Sequence, residues 1–213
     1  MVGWKGVFLM GYVNKFCWCG TAERFLSTGK EEWLSTMSRK YAQVSPHSLT
    51  KSMVKSWGNC YDALSHTLSL LGDGYRNLYL IFEYGLPMFP VKPGRPVNEE
   101  YAVSADCVVL SNNSVLILEF KDKDLSDREF SLHLAYSVRR YRNRIQQNHD
   151  MSRGFRKKGV LVTTVNTGIR RKKIKGVDLC SSDLLHEEIS EYFGPSPAKL
   201  RNIRQWVGST YSP

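Results

Sequence analysis

Cysteine is sparse in this chain of 213 residues. Five thiols, at Cys17, Cys19, Cys60, Cys107 and Cys180, make an odd number without framework spacing, and two of them sit in apolar stretches. That argues against a disulfide-stapled secreted fold and for a reduced, cytoplasmic one. Cys17-x-Cys19 has no matching Cys or His pair nearby, so a four-ligand zinc site is not expected. No apolar run reaches the length of a membrane span, and no membrane partner is expected. The opening MVGWKGVFLMGYVNKFCWCG is broken by glycine and Lys15 and lacks the apolar region of a signal peptide. Internal repeats and low-complexity tracts are also missing. With 42% hydrophobic residues, one well-filled core is the default.

Acidic residues are outnumbered, 20 against 30 lysines and arginines, for a net charge of +10. The excess is concentrated. Between Arg139 and Lys175 lie thirteen basic residues and one acid, Asp150, so this stretch carries +12 and the remainder −2. Such packing of charge is the footprint of a polyanion partner, most often nucleic acid. A solvated basic face with no partner is the plainer reading.

Hydrophobic spacing predicts the elements. Short helical pieces are expected near Thr21 to Leu26 and Lys30 to Tyr41. A longer helix from Ser48 to Leu71 shows Val54, Trp57, Tyr61, Leu64, Leu68 and Leu71 on one stripe and is stopped by Gly72. Three strand candidates follow, NLYLIFEYGLP, YAVSADCVVL and SVLILEFK, the first two separated by a Pro- and Gly-rich loop to Asn98. A helix from about Arg128 to His149 and the strand GVLVTTV complete the order αβββαβ. Strands apolar on both faces imply an α/β fold, a mixed sheet between helical layers. Residues 48–180 read as the core, 1–47 as a helical extension packed on it, and 181–213 as a helical tail. The tail's helices are expected after Ser181-Ser182-Asp183 and through Leu200 to Val207.

If Asn112-Asn113 is a two-residue hairpin turn, asparagine tolerating positive φ, register follows. Val108 then faces Ile117, Asp106 faces Glu119, and Lys121 projects from the same face as Glu119. Two carboxylates and an ammonium on an apolar sheet are costly unless a cation joins them, and a hard divalent ion such as Mg²⁺ suits carboxylate oxygens. Such a centre can hydrolyse a phosphodiester, with Lys121 orienting water or steadying charge on phosphorus. A structural ion-pair cluster is the bland alternative. Glu83, inside an apolar strand, is either a third acid of this site or the partner of an arginine. Asp62 lies on the polar side of its helix, where solvation explains it. His66 and His149 read as surface groups, and Cys107 as a small buried hydrophobe.

D-(x)n-E-x-K across a hairpin, in this element order, resembles the PD-(D/E)xK nuclease superfamily. More narrowly, the chain is similar to the N-terminal nuclease-like domain of a bacterial group of superfamily-one DNA helicases. Trp57, FEYGLP, SADCVVL, LILEFK, SVRRYRNRIQQNH, GVLVTT and the final QWVGSTYSP carry the likeness. It implies a nuclease using Mg²⁺ or Mn²⁺, with Asp106, Glu119 and Lys121 catalytic. Asp106, Glu119 and the Phe120 backbone carbonyl, with Glu83 as a further acid, would hold the metal. It also implies a DNA substrate and a helicase domain or partner. Ala105 stands where the superfamily has proline, and Ser137 where relatives often carry glutamine four residues before a tyrosine, here Tyr141. No G-x-x-x-x-G-K-[ST] loop occurs, so these residues contain no helicase motor. Nucleic-acid contacts are expected from Arg139, Arg140, Tyr141 and Arg144 on the last core helix. A loop with Arg156, Lys157 and Lys158, and another with Arg170, Arg171, Lys172 and Lys173, extend that set. A catalytically inactive module that binds nucleic acid or a protein partner is the alternative.

Overall fold

The computed structural model describes residues 16–44, 48–86, 103–125, 128–148, 156–165, 171–203 and 206. The Pro- and Gly-rich loop up to Asn98, His149 and Arg170 lie outside them. Seven strands form one sheet in the order β1-β2-β3-β4-β5-β7-β6. They are β1 (Trp18–Thr21), β2 (Tyr79–Leu86), β3 (Val103–Ser111), β4 (Ser114–Lys121), β5 (Arg156–Thr163), β6 (Lys172–Ile174) and β7 (Val177–Ser181). The pairs β1–β2, β2–β3 and β3–β4 are antiparallel, β4–β5 and β5–β7 are parallel, and β6 closes the edge antiparallel to β7. The helices are α1 (Ala22–Ser27), α2 (Lys30–Val44), α3 (Lys51–Leu71), α4 (Arg128–Asn148) and α5 (Leu185–Phe193). From α3 to β5 the order is αβββαβ, and the class is α/β with a mixed sheet flanked by helices.

The two long helices, α3 and α4, are where their apolar spacing puts them. In α3, Trp57, Tyr61, Leu64 and Leu68 are buried on one stripe. Thr50 caps its start, accepting from the Met53 N–H at 3.3 Å, a bond whose removal costs about 1 kcal/mol. Gly72, at φ +73°, ends it in a conformation that strains any side chain. In α4, Val138, Tyr141 and Ile145 are buried, and the helix sits so close to β5 that a Cβ on Gly159 would meet Val138 Cγ1 at 2.4 Å.

The central strands are apolar on both faces. Leu80, Phe82, Cys107, Val109, Leu116, Leu118 and Phe120 pack toward α3 and its neighbours, whereas Ile81, Val108, Leu110, Val115 and Ile117 pack toward α4. Each large side chain so buried contributes about 1.5–3 kcal/mol.

Three expectations are corrected. Residues 1–47 are not a purely helical extension: β1 pairs with β2, Trp18 opposite Phe82, and belongs to the sheet. The basic stretches at 156–158 and 172–173 are strand rather than loop, β5 starting at Arg156 and β6 turning at Lys175-Gly176 into β7. Finally, 200–203 are not helical, while 204, 205 and 207 lie outside the described residues. The tail nevertheless joins the core, since Trp206 is fully buried and its carbonyl accepts from Tyr84 Oη at 2.5 Å.

Candidate active site

The β3–β4 hairpin has the register that a two-residue turn dictates: Ser111 pairs with Ser114, Val108 with Ile117 and Cys107 with Leu118. The reason differs from the expected one. Among the described non-glycine residues, positive φ belongs to Glu83 and Lys175, not to Asn112 or Asn113. Outside contacts hold the turn instead. The Asn112 N–H donates to the Ala198 carbonyl and the Arg156 N–H to the Asn113 carbonyl, each at 3.0 Å.

One step beyond Cys107–Leu118 the ladder opens, and the charged groups appear there. On β4, Leu118 and Phe120 pack toward α3, so alternation sends Glu119 and Lys121 the other way. On β2 the alternation slips. Ile81 and Tyr84 both face α4 although they are three residues apart, and the slip falls at Glu83, at φ +50°. Strand β3 slips in the same way between Ala105 and Val108. The flanking pairs Phe82–Cys107 and Tyr84–Ala105 put Glu83 and Asp106 at matching positions. Two irregularities side by side therefore carry the two acids. A non-glycine residue in this region costs about 1–3 kcal/mol and persists where surroundings hold it, most often at functional sites.

The contacts are short and convergent. Asp106 Oδ2 accepts from the Phe120 N–H at 2.6 Å and lies 3.7 Å from Lys121 Nζ. Lys121 Nζ donates to Glu119 Oε1 at 2.6 Å. Glu83 Oε1 accepts from Trp57 Nε1 at 2.7 Å, which ties α3 to the site and answers which partner Glu83 takes. The side chains of Asp106, Glu119 and Lys121 are 26%, 18% and 25% exposed, sheltered but open to a ligand.

Electrostatics follow from three carboxylates sharing one ammonium. Burial, reinforced by the charge of Asp106, pushes Glu119 up to about 8. Burial and Asp106 likewise raise Glu83 to about 7, against the pull of the Trp57 hydrogen bond and Lys121. Asp106 is raised by burial, opposed by Lys121 and the Phe120 N–H. Burial lowers Lys121, but Asp106 and Glu119 outweigh it and hold the ammonium at about 12. The site is short of positive charge.

Among the described residues no group of three or more His, Cys, Asp or Glu side chains is placed to hold a metal together. A cation here would draw on Asp106 and Glu119 and complete its shell with water and ligand oxygens, the ordinary Mg²⁺ pattern. The oxygen donors and the charge deficit fit that ion. The contact that Phe120 makes to the site is through its N–H to Asp106.

The residues expected to touch nucleic acid divide sharply. Arg139 and Arg140 are exposed on α4. Tyr141 is not available: it is 1% exposed and its hydroxyl donates to the Tyr84 carbonyl at 2.7 Å. The side chain of Arg144 lies outside the described residues. Arg156 bonds Ser114 Oγ and the Tyr192 carbonyl, and its guanidinium lies over the Tyr192 ring. Lys157 donates to Gln146. Lys158 bridges Asp178 at 2.8 Å and Glu188 at 2.5 Å. Arg171 pairs with Glu188 at 2.9 Å and Glu191 at 2.5 Å. Lys172 and Lys173 are exposed on β6, an edge strand, where lysines also deter pairing with another sheet. Part of the basic run therefore fastens α5 to the sheet. Sequence reasoning missed Tyr136, an exposed aromatic one turn before Arg139 and Arg140. Its three-residue spacing from Arg139 on a helix whose stripe runs through Val138 and Tyr141 was the available signal.

Asp62 pairs with Lys30 at 2.5 Å, and all five cysteines are buried, none of them in a disulfide. No helix among the described residues is long and apolar enough to cross a membrane.

No family model matches the chain, and no curated protein matches it. Among solved structures it is similar to the crystal structure of protein VC1899 from Vibrio cholerae, at 12% identity and a TM-score of 0.38. That likeness covers 81% of this chain and 47% of the other, so the chain spans about half the length of that protein.

Proposed function

We infer that the chain is a metal-dependent nuclease domain that hydrolyses phosphodiester bonds, DNA being the favoured substrate. The observation that carries this reading is the convergence of Asp106, Glu119 and Lys121 where the β2–β3–β4 ladder opens. Mg²⁺ or Mn²⁺ held by Asp106 and Glu119 would supply Lewis acidity toward the phosphate.

The protein's own groups supply the rest. Lys121 stays charged and sheltered, so its ammonium can steady negative charge gathering on the phosphoryl oxygens. Its bonds to Glu119 and Asp106 fix its direction before substrate arrives, which lowers the reorganisation needed in the transition state. The Phe120 N–H holds Asp106, and Trp57 holds Glu83 in the charged neighbourhood. Arg139 and Arg140, with Tyr136 beside them, offer phosphate contacts and a stacking face for the strand. A helicase domain or partner that feeds the strand to this site is part of the same reading.

A second reading, a non-catalytic module that binds nucleic acid or a protein, is favoured by one observation. Lys121 already occupies the space between two carboxylates that a cation would otherwise join. Labelled single- and double-stranded DNA and RNA, incubated with Mg²⁺, Mn²⁺ or EDTA, separate the two readings. Metal-dependent cutting lost in Asp106→Ala and in Lys121→Ala supports the nuclease. Salt-sensitive binding without cutting on every substrate supports the module.

A further inference from the structure

The basic run from Arg139 to Lys175 divides by the face of the sheet. On one face Lys158, Arg171 and Lys173 meet acids: Lys158 and Arg171 share Glu188, and Lys173 lies 3.8 Å from Asp178. On the other face, that of α4, the cations meet none. Lys172 belongs there by alternation, since it pairs with Leu179 and stands two residues from Ile174, both of which pack toward α4. Lys157 is there too, its Nζ donating to Gln146 of α4 at 2.5 Å. Arg142, on the flank of α4, donates to the Gly176 carbonyl at 3.3 Å, which sets it beside the turn that carries Lys175. Arg139 stands one turn earlier on that flank. Among the described residues no acid forms an ion pair with Arg139, Arg142, Lys157, Lys172 or Lys175.

Uncompensated like charges held together repel, and an external anion relieves them. Lys157 registers the crowding: burial lowers it, and Arg142 lowers it further. The five side chains are exposed or half-buried on rigid elements, so a ligand can reach them. Lys157 and Lys172 lie two strands apart, about 10 Å, which is too wide for one phosphate and suits a repeating polyanion. The face is also distinct from the carboxylate site. Lys157 is four residues before Leu161, which pairs with Glu119, so the two backbones are about 14 Å apart.

The makeup of the patch selects among polyanions. No aromatic ring is among the five, so the bases of a single strand have nothing there to stack on. No large apolar side chain is among them to enter a membrane. Contacts to phosphates at fixed spacing remain, as a stiff duplex presents them. We propose that this face anchors the phosphate backbone of double-stranded nucleic acid, apart from the Asp106–Glu119–Lys121 site. The inference deepens the nuclease reading and rests on it only for that nucleic acid being DNA.

The test needs no cutting. A fluorescent DNA duplex of about 20 base pairs is titrated by anisotropy in EDTA at about 50 to 250 mM KCl. Affinity is expected to fall with salt. Lys172→Gln/Lys175→Gln should make the log–log slope shallower by about 2 and weaken binding about tenfold or more at about 100 mM KCl. Lys173→Gln, one residue away on the acid-paired face, should leave slope and affinity unchanged. All three lysines are exposed, so Tm should hold. Equal weakening by Lys173→Gln, full affinity in the double variant, tighter binding of the corresponding single strand, or preference for phosphatidylserine vesicles overturns the proposal. Metal-dependent cutting with full duplex affinity in the double variant would leave the nuclease standing and remove the anchor. Duplex binding lost in that variant, with no cutting by wild type, would keep the anchor and remove the nuclease.

Discussion

Replacing Glu119 by glutamine should make the metal-free protein more stable while removing a group on which the proposed nuclease reaction depends. Glu119 is pushed up to about 8 by burial and by Asp106, from an ordinary 4.5. A carboxyl raised on folding keeps a proton that the unfolded chain has released. Stability therefore falls as pH rises from about 4.5 through about 8, and the full penalty is present only above that window. One pKa unit corresponds to about 1.4 kcal/mol, so the shift on Glu119 sets a ceiling of roughly 5 kcal/mol. Asp106 and Glu83 titrate with it and share the protons, which brings the share of one residue to about 1–3 kcal/mol. Glutamine keeps the shape and removes the charge. Urea unfolding in EDTA at pH 9 should therefore place Glu119→Gln above wild type by about 1–3 kcal/mol. For a domain of this size that is about 2–4 °C in Tm per kcal/mol. At pH 5 the gap should nearly close, and millimolar Mg²⁺ should raise wild type more than the variant. A variant less stable than wild type at pH 9, or a gap independent of pH, would refute the electrostatic account.

Further predictions address the groups around the site. Lys121→Met should destabilise the metal-free protein by about 2–4 kcal/mol at pH 8 and by less at pH 5.5, where the carboxylates it leaves behind can take protons; chemical denaturation at the two pH values checks this. Tyr141→Phe should lose about 1–2 kcal/mol of stability with unchanged nucleic-acid affinity, whereas Tyr136→Ala should weaken single-strand binding about five- to tenfold with unchanged Tm. Glu188→Ala, which takes one acid from Lys158 and Arg171 while Asp178 and Glu191 remain to them, should cost about 1–3 kcal/mol in urea unfolding and loosen α5 first in hydrogen exchange.

The sequence was readable where a single periodicity dominated. The stripe from Val54 to Leu71 and the runs of Val, Ile and Leu in β3 and β4 announced their elements because burial, not local propensity, drives them. The hairpin register was legible from turn length alone, even though Asn112 and Asn113 avoid positive φ and the contacts from Ala198 and Arg156 hold the turn. Strand β1 was hidden because four residues are too few for an alternation, and its pairing with β2 is a tertiary event. Strand β6 was masked by lysines, whose role in an edge strand gives no hydrophobic signal, and β7 by its shortness, five residues. Tyr141 and Lys158 were misread for one reason. Composition shows that a basic or aromatic residue is present, but only the fold shows whether Glu188 or the Tyr84 carbonyl already claims it. The slip at Glu83 and Asp106 left no trace in the spacing, since each strand keeps its apolar character on both sides.

The central claim is tested most directly by metal-dependent cutting of labelled DNA by wild type and Glu119→Gln side by side, with Mn²⁺ and with EDTA. Because the variant is expected to be the more stable protein, unfolding cannot account for a loss. Cutting by wild type that requires the metal and is absent in Glu119→Gln is the result this account predicts. Cutting that survives in the variant at the wild-type rate would contradict it.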